Sequence, residues 1–144
     1  MASHPQHCPE CGCELSSDIF SADEMRKRFF ATIRDVHANL PDDLRRRWPS
    51  SENLRKEALI AAGWCDTMTV ATGSKAAAPG VAAAFKIKDR YCIVDVKGSV
   101  LMVHTARSIS RSACLRPQFK EVTQRAYDWI ERQTGIDGRR SEAA

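Results

Sequence analysis

No run in this chain approaches the roughly eighteen apolar residues of a membrane span, and its first residues, MASHPQHC, lack the basic start and apolar stretch of a signal peptide. The expectation is a cytoplasmic protein with no membrane partner. Its six cysteines are therefore expected as reduced thiols or metal ligands rather than disulfides. Catalytic signatures are missing too: no G-x-S-x-G, H-E-x-x-H, Walker loop or paired-carboxylate spacing supports a site. His37, His104, Asp66 and Asp95 are available to assemble a site, but no spacing supports one, so an enzyme is the weaker class. His104, inside an apolar stretch, reads better as a hydrogen-bonded strand residue. What is present suits one domain with a real core: 144 residues, 43% apolar, 28% charged, with a net charge of +4. That charge permits a nucleic-acid partner without demanding one.

The most local absence is of acid. No Asp or Glu lies between Val96 and Lys120, a segment holding five cations, Lys97, Arg107, Arg111, Arg116 and Lys120. Within it an apolar strand, SVLMVHT, leads through a basic linker, ARSISRSACLRP, into a long helix, QFKEVTQRAYDWIERQT. Phe119, Val122, Ala126, Trp129 and Ile130 recur at steps of three and four, which predicts one buried helix face packed on the sheet that contains the strand. A linker held at both ends in this way suits phosphate contacts from Arg107, Arg111, Arg116 and Lys120, helped by the hydroxyls of Ser108 and Ser110. It reads equally as a solvated loop before an ordinary helix.

Residues 1–20 form a cysteine- and histidine-rich arm, with HPQHCPECGCEL at 4–15. Cys8-Pro9-Glu10-Cys11-Gly12 has the C-P-x-C-G form of a zinc knuckle, in which two thiolates reach one metal and glycine tolerates the left-handed backbone behind them. No second C-x-x-C follows, because Cys65, Cys92 and Cys114 stand alone. Cys13 with His7 or His4 would complete a zinc site, and a metal-free arm is the other reading.

The rest of the chain, 21–134, reads as a single α+β domain with a flexible tail at 135–144. Ser21 with Glu24 is a capping box opening a helix whose stripe is Met25, Phe29, Ile33, Val36 and Leu40, with Arg26, Lys27, Arg28 and Arg34 on its flanks. Pro41 ends it. PDDLRRRWP adds Arg45, Arg46 and Arg47 as a secondary basic surface, with Trp48 the tryptophan best placed for base stacking. A third helix runs from Ser51 to Ala62 with Gly63 as its cap. Alternation then predicts strands near 64–71, 82–88, 91–96 and 99–105, with GSKAAAPG as a loop. The architecture expected is three N-terminal helices, an antiparallel meander of three to four strands, and a long C-terminal helix.

SADEMRKRFFATIRDV, LRKEALIAAGWCD and ARSISRSACLRPQFKEVTQRAYDWI together resemble a family of small phage proteins of uncharacterised function found among replication and recombination genes. More remotely, the R-K-x-F-F start and the S-I-S…F-K-E-V end are similar to the NinB, or Orf, recombination-mediator family. Arg111 stands where the first family usually has an aromatic, and the knuckle at Cys8 is outside the NinB pattern. The NinB resemblance implies a non-enzymatic homodimer in the host cytoplasm that binds single-stranded DNA. The alternatives are an anti-CRISPR-like protein that blocks a host nucleoprotein complex and, more weakly, a metal-dependent enzyme.

Overall fold

The computed structural model describes residues 17–110 and 116–139, with backbone alone for 17–22 and 116. Helix α1 spans Ser17–Ala38. It starts a turn before the capping box expected at Ser21, since no proline or glycine separates Ser17 from Ser21 and the helix simply continues. Phe29, Ile33, Val36 and the following Leu40 are buried, with Met25 half-buried against the same core. Pro41, extended at φ −65°, is the N-cap of a short α2, Asp42–Arg47, whose acidic first turn and basic last turn complement its dipole. Helix α3, Ser51–Ala61, begins with the Ser50 hydroxyl accepting from the Asn53 amide at 3.2 Å. It ends in a Schellman motif: Gly63, at φ +88°, donates to the Ile60 carbonyl and Trp64 to that of Leu59.

Three antiparallel strands follow, β1 Cys65–Ala71, β2 Ile93–Lys97 and β3 Val100–Ala106. They are ordered β1-β3-β2, so β3 is central and the sheet is not a meander. The chain between β1 and β2 is helical where a strand was expected: α4 spans Ala78–Lys88. The short alternation in FKIK misleads there, because the alanines before it favour helix, Pro79 suits a first helical turn, and Lys86 and Lys88 suit the last. Ala78, Cys92, Leu101 and Val103 are buried where α4 meets β2 and β3. Strand β1 departs from the one-face-buried expectation, since only Cys65 and Val70 of its seven residues are even half-buried.

Helix α5, Arg116–Thr134, buries Phe119, Val122, Ala126, Tyr127 and Ile130, but against α1 and α3 rather than on the sheet. Phe29 meets Phe119 and Tyr127 edge-on at 6.2 and 5.6 Å. The main core is thus helical, and the sheet is a flank. Residues 136–139 fold back instead of trailing: Ile136 packs on the core, and Arg139 reaches Asp128, Glu131 and Asp137 at 2.7–3.0 Å. Among the described residues no helix is long and apolar enough to cross a membrane.

Candidate functional site

The chain leaving β3 is held from three directions. Arg107 donates its backbone N–H to the Trp64 carbonyl at 3.1 Å, the Trp64 indole donates to the Ser108 carbonyl at 2.9 Å, and Arg26 Nε on α1 donates to the Ile109 carbonyl at 2.8 Å. Ile109 is buried in the helical core. Residues 107–110 are therefore a seated segment, not the solvated loop that composition also allowed. This seating turns the segment towards α1 and α3, and the three enclose a cavity of about 490 Å³.

Among the described residues four cations line that cavity, Arg26, Arg55, Lys56 and Arg107, with the Glu52 carboxylate and with Ser108 and Ser110 beside them. Each cation rests on an aromatic ring: Arg26 over Phe119 at 5.3 Å, Arg55 over Phe30 at 4.5 Å, Lys56 over Tyr91 at 4.4 Å and Arg107 over Trp64 at 4.5 Å. Such contacts fix the direction of long side chains while leaving their N–H groups able to donate. Glu52 lies 3.4 Å from Lys56 and 3.6 Å from Arg55 and accepts from the Tyr91 hydroxyl at 3.1 Å. The Tyr91 hydrogen bond, opposed by partial desolvation and aided by Lys56 and Arg55, holds the Glu52 carboxyl below its ordinary pKa. Burial pushes Arg55 below the usual arginine value, with Glu52 and then Tyr91 restoring part of the loss. Asp23 lies 3.5 Å from Arg26 and Asp66 lies 3.8 Å from Arg107. The described residues still leave the cavity a positive surplus, and its donors suit an oxyanion.

Of the residues singled out in the sequence, Arg107, Ser108 and Ser110 line this cavity and Lys120 does not; it is exposed on α5. Arg111, the Arg116 side chain and the knuckle residues Cys8, Cys11, Cys13 and His7 fall outside the described residues. The Arg45–Arg47 run lies elsewhere: Arg45 donates to the Ala38 carbonyl, and Arg47 lies over Trp48 at 4.3 Å and bonds Glu57 and Gln133. Trp48 is no stacking platform, being fully buried, edge-on to Trp129 at 5.8 Å, with its indole N–H donated to Glu57 at 2.7 Å. Sequence reading missed Arg26 as a member of the site, and Phe30, Arg55 and Lys56 with it. The signal available was in RKRFF and LRKEAL, where cations flank residues that had to be buried.

The groups weighed for catalysis are scattered. His37 bonds the Trp48 carbonyl at 2.7 Å, and Asp66 faces Arg107. Only His104 and Asp95 meet, in a row across the sheet. His104 Nε2 lies 3.0 Å from Asp95 and Nδ1 lies 2.8 Å from the Thr67 hydroxyl. A neutral ring in this setting donates to the carboxylate and accepts from the hydroxyl. The row lines a second cavity of about 410 Å³ with Cys65, Arg47 and Trp129. Among the described residues no three His, Cys, Asp or Glu are grouped to hold a metal ion. No family model, curated protein or solved structure matches this chain.

Proposed function

We propose that this protein is a phage-encoded, non-enzymatic accessory factor of recombination or replication that binds single-stranded DNA at the basic cavity between α1, α3 and residues 106–110, with a zinc-bearing N-terminal arm held by Cys8 and Cys11 together with Cys13 and His7. The observation that carries the reading is convergence. The three stretches that resemble the phage family are far apart in the chain, yet each contributes to one cavity: Arg26 and Phe30 from the first, Arg55 and Lys56 from the second, Arg107, Ser108 and Ser110 from the third. Guanidinium forks and serine hydroxyls are phosphate donors. Phe30 and Trp64 lie under Arg55 and Arg107 and hold those donors in place for phosphate oxygens.

The test is the anisotropy of a labelled single-stranded oligonucleotide across a salt series. Removing one cation that neutralises a phosphate lowers the slope of log affinity against log salt by about 0.7. Lys56→Ala with Arg107→Ala is therefore expected to lower it by about 1.4, with base preference and far-UV circular dichroism unchanged. A folded double variant with wild-type affinity and slope rejects the site. If the wild-type protein has no affinity for single strands at low salt, the DNA reading fails. The same cationic cavity then points to a host nucleoprotein complex, met through acidic side chains and detectable by pull-down from host lysate.

A further inference from the structure

The cations of the cavity are not strung along a track. Arg26 comes from α1, Arg55 and Lys56 from α3, and Arg107 from the chain beyond β3, yet all four line one space of about 490 Å³. That is the scale of a single small-ligand site, roughly 300–1,000 Å³. A strand passing through would be met by cations spread along its path. Converging cations instead concentrate on one group.

Arg55 is central to this arrangement. Its side chain is only 21% exposed, one face lies over Phe30, and its nearest carboxylate oxygen, on Glu52, is 3.6 Å away, beyond hydrogen-bond distance. Among the described residues no acceptor takes a hydrogen bond from its guanidinium. Glu52 is shared: its Oε2 accepts from Tyr91, and its Oε1, the oxygen nearest Arg55, lies closer still to Lys56, at 3.4 Å. Secluding a guanidinium this far is unfavourable unless an anion answers it. With Asp23 on Arg26 and Asp66 on Arg107 counted beside Glu52, the surplus is small, and it is the convergence of donors from three elements on one space, with Arg55 lacking an acceptor, that suits a compact terminal group. A phosphomonoester carries about −1.5 to −2 at pH 7 and offers three strong acceptor oxygens.

We infer, resting on the strand-binding reading above, that the cavity takes the terminal phosphomonoester of a DNA strand, with Arg55 as its central donor and Arg107, Lys56 and Ser108 around it. The protein recognises a strand end, and the remainder of the strand leaves over the basic rim, where Arg90 donates to the Tyr91 hydroxyl at 2.8 Å.

The experiment compares full-length protein on three fluorescent oligothymidylates of one length, bearing a 5′-phosphate, a 3′-phosphate or neither, with the dye on an internal base. One of the two phosphorylated probes is expected to bind about tenfold tighter than the plain one, and which of them does so identifies the end recognised. Inorganic phosphate should erode that advantage, as should lowering the pH from about 7.5 to 5.5, across the second phosphate ionisation near pH 6. Arg55→Gln should weaken binding of all three probes and bring the phosphorylated and plain ones to the same affinity, so that the ratio between them falls from about tenfold to one. Arg107→Gln, at a largely exposed side chain, repeats the test should the first variant fail to fold. Equal binding of all three probes overturns end recognition and leaves strand binding standing. A preference that survives in both folded variants overturns the placement in this cavity. Binding of none of the probes removes both the strand-binding reading and this one.

Discussion

Trp48 and Glu52 show how a single side chain acquires its role from what surrounds it. Trp48 follows three arginines in sequence and reads as an exposed stacking surface, but its indole is enclosed and its N–H is donated to Glu57. Trp48→Ala should therefore destabilise the domain by about 3–5 kcal/mol in urea titration, as large aromatic truncations in cores do. An unchanged midpoint would place the ring in solvent after all. Glu52 sets a pH dependence. Its folded pKa lies below the unfolded value, chiefly through Tyr91, so the stability it contributes is present above the unfolded carboxyl range and lost as pH falls through the folded pKa. Tyr91→Phe should then cost stability at pH 7 and much less at pH 3. The side chain of Glu52 is 45% exposed, so solvent screening keeps the loss at pH 7 below about 1 kcal/mol. A cost independent of pH would assign the Tyr91 contribution to packing instead.

At the scale of elements, α4 is where local pattern and structure part. Four residues of alternation in FKIK suggest a strand, whereas the alanines and Pro79 before them make a helix whose buried Ala78 lies where α4 meets the sheet. Ala84 is exposed in mid-helix, so Ala84→Gly should destabilise by about 0.5–1 kcal/mol through backbone entropy alone, measured by thermal or urea unfolding. Ala84→Val at the same exposed site separates the two conformations: helix propensity makes it mildly destabilising, and strand propensity would make it neutral or better. The swap of a strand for α4 also explains the sheet order. With a helical connection after β1, β2 and β3 form a hairpin around Gly98, at φ +63°, and β1 pairs with the far side of β3.

For the whole molecule, the domain's core among the described residues is shared by α1, α3 and α5, and the cysteine-rich arm is expected as an attachment to it. Protein purified without chelator is expected to carry about one zinc per chain, and Cys8→Ser with Cys11→Ser should remove it while leaving the urea midpoint of the domain unchanged. Elemental analysis of freshly reduced wild-type protein that finds no zinc ends that assignment. A large fall in the midpoint would instead make the metal part of the domain's stability.

Much of this molecule was determined within reach of a few residues. The stripes of α1 and α5, the Ser50 cap, the Gly63 stop and strand β3 follow from spacing and caps, because a helix face or a turn depends on neighbours three to five positions away. The basic character of 107–110 was equally legible, as was its want of nearby acid. Tertiary structure alone decided that Arg26 and Ile109, 83 positions apart, would bond, and that Arg55 and Lys56 would face the same space as Arg107. A charged side chain on an amphipathic helix has no preferred partner until the helix docks. It also decided that Trp48, after three arginines, would go inside while Trp64, after Ala-Ala-Gly, stayed half-buried, against their local polarity, because Trp48 packs on Trp129 and donates to Glu57. The composition of the site was written locally, but its convergence came from the docking of α1 and α3, which turned separated charges into one cavity.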